Sequence, residues 1–226
     1  MKSSVEHGVP PREIRSFKLR SGRGTKAQEE ARELHWDAIG IDSLGPLDLA
    51  GMFKSCTEII VEIGTGMGEA TALMAEANPE VGILAIEVHH PGIGSLLVKI
   101  AERKLSNIRI IDGDAVSVLE NQIAANSLDG IRLYFPDPWP KKRHHKRRIV
   151  QVDWLELVVS KLEIGGTLHV ATDWEAYAKW ISALCDGNSD LDGGLVARPD
   201  WRPFTRFELQ GIAKGHEVWD FIYRKH

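Results

Sequence analysis

The chain has 226 residues, of which 43% are hydrophobic and 27% are charged, and its formal net charge is −4. This composition is close to the globular average, so it excludes a disordered chain, a collagen-like fibre and a disulfide-dense secreted module. The two cysteines form no Cys-x-x-Cys pair, and no apolar run approaches the roughly 20 residues of a membrane helix. The first residues contain no apolar stretch typical of a signal peptide. The sequence therefore predicts a soluble cytoplasmic protein.

Positive charge is concentrated in two segments. Residues 141–148, called the basic segment below, read Lys-Lys-Arg-His-His-Lys-Arg-Arg and carry six positive charges and no negative one. Residues 12–26 have a net charge of +5, which leaves −15 for the other 203 residues. Such segregation produces a local field that the net charge hides. A basic run is commonly a solvated surface, but it is also the pattern expected of a nucleic-acid contact.

The predicted elements follow a basic N-terminal arm. Residues 1–26 are polar and contain two adjacent prolines and a Ser-Gly-Arg-Gly stretch, so we interpret them as flexible. We predict that residues 27–226 form one domain, in which helical and strand-like periodicity alternate. The predicted helices cover 27–39, 68–77, 93–104, 116–125, 149–162 and 175–185, and the predicted strands cover 57–63, 82–88, 108–111, 128–135, 167–171, 204–209 and 217–224. Residues 186–194 are predicted to be a loop.

The alternation of five strands with helices predicts an α/β fold, a mostly parallel, doubly wound sheet with helices on both faces. The last two predicted strands have only a short link between them, which favours an antiparallel C-terminal hairpin at the sheet edge. Ligands of such sheets bind outside the carboxyl ends of the strands, where the strand order reverses. Residues that end the strands are therefore the candidates for a functional site.

The first predicted strand ends in a glycine-rich loop, in which Gly64, Gly66 and Gly68 follow Glu62. Glycines permit a tight turn and a close approach of the backbone to a ligand. A dinucleotide fingerprint needs its third glycine at position 69, where Glu69 would instead repel a pyrophosphate. This departure disfavours a nicotinamide oxidoreductase. S-adenosylmethionine fits better, because Glu62 can balance the ammonium group of its amino-acid end.

Two further acids follow the next two strands. Glu87 closes the second predicted strand, 19 positions after Gly68. A carboxylate at this spacing accepts hydrogen bonds from ribose hydroxyls. Asp114 follows the third strand, where its carboxylate can accept a hydrogen bond from an adenine amine. Each acid alone is compatible with an ordinary turn, but three acids on successive strand ends predict a single nucleoside site.

The fourth strand ends in Phe135-Pro-Asp137-Pro-Trp139-Pro, directly before the basic segment. Prolines on both sides of Asp137 restrict the backbone and preorganise its carboxylate. Trp139 offers a face on which a base can stack. A proline-rich stop before a surface helix is the alternative interpretation.

These motifs resemble those of the bacterial single-subunit tRNA (guanine-N7)-methyltransferases, the TrmB family, within the class I methyltransferases. The matching motifs are residues 62–68, 86–88, 113–115, 135–148, 171–174, 205–208 and 215–216, and they stand in the family's order. The resemblance extends from about residue 15 to the C-terminus. It implies a Rossmann-like class I fold and transfer of a methyl group from S-adenosylmethionine to N7 of a guanine in the variable loop of tRNA.

The resemblance also implies roles for individual residues, with Asp137 as the catalytic residue. The implied cofactor-binding residues are Glu62, Gly64, Gly66, Gly68, Glu87, Val88, Asp114, Ala115 and Asp137. The implied substrate-binding residues are Lys141, Asp173, Thr205, Arg206, Phe207 and Glu208. The implied RNA contacts are Arg143, His144, His145, Lys146, Arg147 and Arg148. Arg206 and Gln210 depart from the family pattern, in which we expect Lys and Arg.

The chemistry of guanine N7 limits what these residues must do. N7 has a free lone pair and no proton, so its methylation needs no general base. We therefore predict that Asp137 and Asp173 orient the base or counter the charge that develops on it.

Two other functions remain open from the sequence. One is a methyltransferase for another RNA base or for an exocyclic amine, which the lack of a double proline in the Asp-Pro-Trp tip disfavours. The other is a non-catalytic RNA-binding module, which the intact set of acids disfavours. The adjacent histidine pairs lack metal-ligand spacing, so we predict no metal site.

Overall fold

A computed structural model describes residues 16–17 and 22–226. Its α-helices are α1 Lys26–Ile39, α2 Leu49–Met52, α3 Glu69–Ala77, α4 His90–Arg103, α5 Ala115–Asn121, α6 Val152–Lys161, α7 Glu175–Asp186 and α8 Arg206–Ile212, and a 3-10 helix covers Lys142–Arg147. Its strands are β1 Glu58–Ile63, β2 Val81–Glu87, β3 Ile108–Asp112, β4 Leu128–Tyr134, β5 Leu162–Thr172, β6 Leu191–Val196 and β7 Trp219–Lys225. Most of the predicted N-terminal arm lies outside the described residues.

The strands form one seven-stranded sheet in the order β3-β2-β1-β4-β5-β7-β6. β1 to β5 are parallel, and β7 pairs antiparallel with both β5 and β6. The predicted mostly parallel sheet with an antiparallel C-terminal pair is confirmed. The strand order reverses between β1 and β4, so the carboxyl ends of these two strands flank the position where such sheets bind ligands.

The predicted helices on both faces of the sheet are also confirmed. β2 is buried along its whole length, as expected for a central parallel strand. Its Leu84 and Ile86 join an apolar cluster with α5, α6 and α7, whereas Ile83 and Ala85 join a second cluster with α1, α3 and α4. None of the helices within the described ranges is both long and apolar enough to cross a membrane.

Two predictions near the C-terminus are wrong. Residues 204–209, predicted as a strand, include the start of α8, because Thr205 and Glu208 form a capping box that begins a helix. The antiparallel partner of β7 is instead β6, which includes residues 191–194 of the predicted 186–194 loop. Gly193 and Gly194 gave that stretch a loop-like composition, but in the sheet they lie beside β7.

The glycine pair of β6 provides a matched test of this pairing. Both glycines have φ of +151°, which disfavours any other residue equally. A Cβ at Gly193 would overlap the carbonyl oxygen of Ile222, whereas a Cβ at Gly194 would meet no atom within 4 Å. We expect Gly193→Ala to lower the free energy of unfolding by about 1–3 kcal/mol more than Gly194→Ala, measured by urea denaturation. Equal losses in the two variants would contradict the pairing.

Candidate functional site

A cavity of about 540 Å³ lies at the carboxyl ends of β1 to β4. This volume is within the range of small-molecule sites. All nine predicted cofactor-binding residues line it: Glu62, Gly64, Gly66, Gly68, Glu87, Val88, Asp114, Ala115 and Asp137. Thr205, Arg206 and Phe207, from the start of α8, line it as well. The structure therefore brings residues from five separate segments of the chain to one cavity.

The glycine loop is shaped by left-handed backbone. Gly64, Gly66 and Gly68 have φ of +73°, +58° and +72°, which glycine adopts at little cost. A Cβ at Gly68 would lie 2.7 Å from Cβ of Leu96, so this glycine allows α4 to approach the loop. A Cβ at Gly64 would meet no described atom within 4 Å. Gly68 thus serves packing, and Gly64 leaves space beside the cavity.

Glu62 is buried at the base of the cavity with one oxygen unsatisfied. Its Oε1 accepts a hydrogen bond of 3.0 Å from the Thr71 hydroxyl, and its Oε2 has no hydrogen-bond partner among the described residues. Burial raises the pKa of Glu62 to about 7, although the charge of Arg132 and the Thr71 hydrogen bond lower it, and the charge of Glu87 raises it further. A buried acceptor without a partner is costly. A cationic ligand group, such as an ammonium, would remove that cost.

Glu87 ties the glycine loop to the end of β2. Its Oε2 accepts from the Gly66 N–H at 2.7 Å, and its Oε1 accepts from the N–H groups of Val88 and His89 at 2.8 and 2.9 Å. An ionised carboxylate has about four accepting positions. These three bonds leave one position with which Glu87 can accept from a ribose hydroxyl. The sequence did not show that Glu87 also fixes the loop.

Asp114 and Ala115 stand at the start of α5. Asp114 is the N-cap of this helix, and its Oδ1 accepts a hydrogen bond of 3.0 Å from the Val116 N–H. The cap fixes the carboxylate at the cavity wall, where its second oxygen can accept from an adenine amine.

The segment 135–140 that follows β4, called the tip below, has a strained backbone. Phe135 and Trp139 have φ of +51° and +44°, in a region that bulky residues rarely adopt. Each such residue costs about 1–3 kcal/mol and persists only where its surroundings enforce it. Asp137 lies between the two, half-buried and in the cavity wall. The prolines that flank it and the strained residues on either side restrict the backbone that carries its carboxylate.

Trp139 anchors this tip. Its ring is 5% exposed, its Nε1 donates to the Ser16 carbonyl at 3.1 Å, and the Arg147 guanidinium lies 5.0 Å from the ring centroid. The predicted stacking of a base on Trp139 is therefore not available in this structure, because the ring is covered. Ser16 also lines the cavity, so Trp139 connects the basic segment to the cavity wall.

The basic segment divides into exposed and buried cations. Lys146 and Arg147 are exposed, as are Lys141, Lys142 and Arg143, and His144 and His145 are half-buried. Arg148, which the sequence predicted to contact RNA, is only 3% exposed. Its Nε donates to the Pro138 carbonyl at 3.0 Å, and its guanidinium lies over the Tyr177 ring. Arg148 therefore fixes the segment to the tip, and its neighbours present their charges to solvent.

Three predicted substrate-binding residues lie outside the cavity lining. Lys141 is exposed at the start of the basic segment. Asp173 follows β5, and its Oδ2 lies 3.0 Å from Nδ1 of His216. Glu208 is 1% exposed, and both of its oxygens bind Arg202.

Sequence reasoning also missed residues that the structure places at the site. Thr65 lines the cavity, and its buried hydroxyl has no hydrogen-bond partner within the described ranges. Its position between two glycines was the available signal. Phe17 lines the cavity as well, and so does Gln210, which the sequence marked only as a departure from the family pattern. No group of three or more potential metal-binding side chains occurs among residues 16–17 and 22–226.

Comparison with known proteins agrees with this geometry. Residues 57–221 match a family model described as "Putative methyltransferase". A tRNA (guanine-N(7)-)-methyltransferase of Nitrosospira multiformis is 50% identical over 225 residues, which cover 98% of each chain. One from Shewanella oneidensis is 47% identical over 226 residues, covering 97% of this chain and 95% of the relative.

A solved structure shows the same fold at low identity. An aminoglycoside resistance methyltransferase gives a TM-score of 0.57 at 16% identity, covering 79% of this chain and 92% of that chain. This likeness concerns the fold alone, whereas the two sequence relatives match along almost the whole chain. The chain therefore belongs to the family of the tRNA (guanine-N7)-methyltransferases and has their class I methyltransferase fold.

Proposed function

We propose that the protein transfers a methyl group from S-adenosylmethionine to N7 of a guanine in tRNA, in the variable loop. The observation that carries the proposal is that acids from the ends of four strands line one cavity, beside a segment of exposed cations. These acids are Glu62, Glu87, Asp114 and Asp137. The names of relatives that are 47–50% identical over nearly the whole chain support the choice of tRNA and of guanine N7.

The cavity residues suit S-adenosylmethionine, which would supply a methyl group bound to a positively charged sulfur. The lone pair of N7 would attack the methyl carbon as the carbon–sulfur bond breaks, and the sulfur would leave as a neutral thioether. Glu62 has a buried oxygen available for the ammonium group. Glu87 keeps one accepting position for a ribose hydroxyl, and the second oxygen of Asp114 would accept from the adenine amine. The open space beside Gly64 admits the ligand close to the backbone.

Catalysis at N7 is a problem of positioning. Since N7 carries no proton, no residue has to act as a base, and holding the reacting atoms in line can lower the barrier by up to ~7–11 kcal/mol. The purine becomes cationic as the methyl group arrives. Asp137, fixed by its prolines and the strained residues around it, counters that charge without reorganising. Asp173 remains a predicted contact of the guanine that rests on the family resemblance.

The basic segment would hold the tRNA backbone. Its exposed lysines and arginines are suited to phosphate contacts, and Trp139 and Arg148 attach it to the tip that carries Asp137. A guanine in a folded loop must leave its stack to reach the cavity, and phosphate contacts on both sides of it can stabilise that state.

Replacing the tip carboxylate tests the proposal. Asp137→Asn keeps the shape of the side chain and removes its charge, so we expect wild-type protein to methylate unmodified tRNA and the variant to have a kcat lower by about 10²–10³-fold. Affinity for tRNA should be retained, measured by filter binding. Asp153→Asn, an exposed position at the start of α6, is the control and should keep full activity. Equal activity of Asp137→Asn and wild type would contradict the assigned role.

The protonation of Glu62 predicts a pH dependence of donor binding. With a pKa of about 7 in the free protein, Glu62 must lose a proton at lower pH before it can bind an ammonium group. The Kd for S-adenosylmethionine, measured by calorimetry, should therefore rise by up to about tenfold for each unit by which the pH is lowered from 7 to 5.5. Above pH 7 the Kd should level off. Glu62→Gln should bind more weakly and without this slope. A wild-type Kd that is constant from pH 5.5 to 7.5 would contradict ion pairing by Glu62.

Salt dependence tests the RNA contact of the basic segment. Lys146→Ala should weaken tRNA binding and reduce the slope of log K against log salt by about 0.7–0.9, the loss of one phosphate contact. Lys54→Ala is the matched control, because this exposed lysine precedes β1 at the opposite end of the sheet. A slope that changes equally in both variants would indicate an effect of net charge only.

A further inference from the structure

A buried polar network joins four elements next to the cavity. Its members are Tyr134 on β4, His169 on β5, Arg202 in the segment before α8, Glu208 on α8 and Asp220 on β7, and each is at most 8% exposed. The Tyr134 hydroxyl lies 3.0 Å from Nδ1 of His169, and Nε2 of His169 lies 2.7 Å from Oδ1 of Asp220. Burial lowers the pKa of His169, although the hydrogen bond and charge of Asp220 raise it.

Arg202 is the centre of this network. Its Nε and Nη2 donate to the two oxygens of Asp220, both at 2.8 Å. Its Nη1 and Nη2 donate to the two oxygens of Glu208 at 2.7 and 2.9 Å. Burial raises the pKa of Asp220, but its bonds to His169 and Arg202 outweigh burial and hold that pKa below its usual value. Only the planar fork of arginine can bind two carboxylates in this way.

The Arg202–Glu208 ion pair joins helix α8 to the buried network. Its buried residues are Glu208 and Gly211, whereas its apolar residues Phe207, Leu209 and Ile212 are each about half exposed. A helix of seven residues is not stable by itself, and this one has no buried apolar side chain to attach it. Glu208 therefore occupies the buried position of the helix at which an apolar side chain usually packs.

The same carboxylate also fixes the start of the helix. Glu208 accepts a bond of 3.3 Å from the Thr205 N–H, and the Thr205 hydroxyl accepts one of 3.1 Å from the Glu208 N–H. Thr205 and Arg206, together with Phe207 and Gln210, line the cavity. The network thus connects the interior of the sheet to one wall of the site.

We propose that Arg202 is a positioning residue for methyl transfer, which holds the start of α8 at the cavity wall through Glu208. This inference rests on the proposed function, because the residues it positions are those assigned to the substrate. It also gives Glu208 a different role from the one that the family resemblance implied: Glu208 binds Arg202, and Thr205 and Arg206 contact the substrate. A buried ion pair adds little net stability compared with apolar packing, but it specifies orientation.

Arg202→Lys tests the proposal, because it keeps the charge and loses the fork. We expect kcat for tRNA methylation to fall by about 10²-fold, as displacement of substrate-positioning groups does. The Kd for S-adenosylmethionine should stay unchanged, and amide hydrogen exchange in α8 should accelerate. The control is Lys161→Met, which removes another buried cation, one that donates to the Ile123 carbonyl. It should lower stability while kcat and α8 exchange stay as in wild type.

Glu208→Gln and the double variant complete the experiment. Glu208→Gln should show the same losses, and it replaces Arg202→Lys if that variant does not fold. The double variant Arg202→Lys/Glu208→Gln should have a kcat no lower than that of the less active single variant, since both substitutions break the same Arg202–Glu208 pair. Wild-type kcat in Arg202→Lys, unchanged α8 exchange, or an equal loss of kcat in Lys161→Met would each overturn the proposal. If wild-type protein does not methylate tRNA, the proposed function fails, and α8 exchange still tests the Arg202–Glu208 attachment.

Discussion

The gathering of carboxylates at one edge of the sheet is the constraint on which the site depends. The carboxyl ends of β1 to β4 meet there because these strands are parallel, and each strand carries an acid in its last residues or in the loop that follows. Glu87 and Asp114 are compensated by backbone N–H groups, whereas Glu62 keeps one buried oxygen without a partner among the described residues. The local structure of the loop and the cap therefore produces a cavity that favours a cationic nucleoside ligand.

Rigidity around this cavity comes from two different sources. At the tip of β4, Phe135 and Trp139 have positive φ. The hydrogen bond of the buried Trp139 indole and that of Arg148 to Pro138 hold this backbone, which carries Asp137. Beside this tip, with its guanidinium 5.7 Å from the Phe135 ring centroid, Arg202 binds Glu208 of a helix that has no buried apolar side chain. A reaction that needs no general base gains mainly from such positioning. Strain and buried charge, which both lower stability, are thus found where the proposed chemistry takes place.

The sequence was most informative where local pattern and function coincide. Alternating periodicity predicted β1 to β5, and the position of acids such as Glu87 after strand ends predicted one shared cavity. It failed where long-range contacts decide the structure. The glycines of β6 predict a loop, but the structure pairs them with β7. The basic sequence around Arg148 predicts an exposed side chain, but Tyr177 packs against it. Arg202 carried no local signal, because its two carboxylate partners are 6 and 18 residues away.

Identification of the methylated nucleoside tests the central claim most directly. The protein would be incubated with unmodified tRNA and S-adenosylmethionine labelled in the methyl group, and the digested tRNA would be separated into nucleosides. A site that positions its substrate without a base should place the label in 7-methylguanosine. Label on an exocyclic amine, which must lose a proton when it is methylated, would contradict the account.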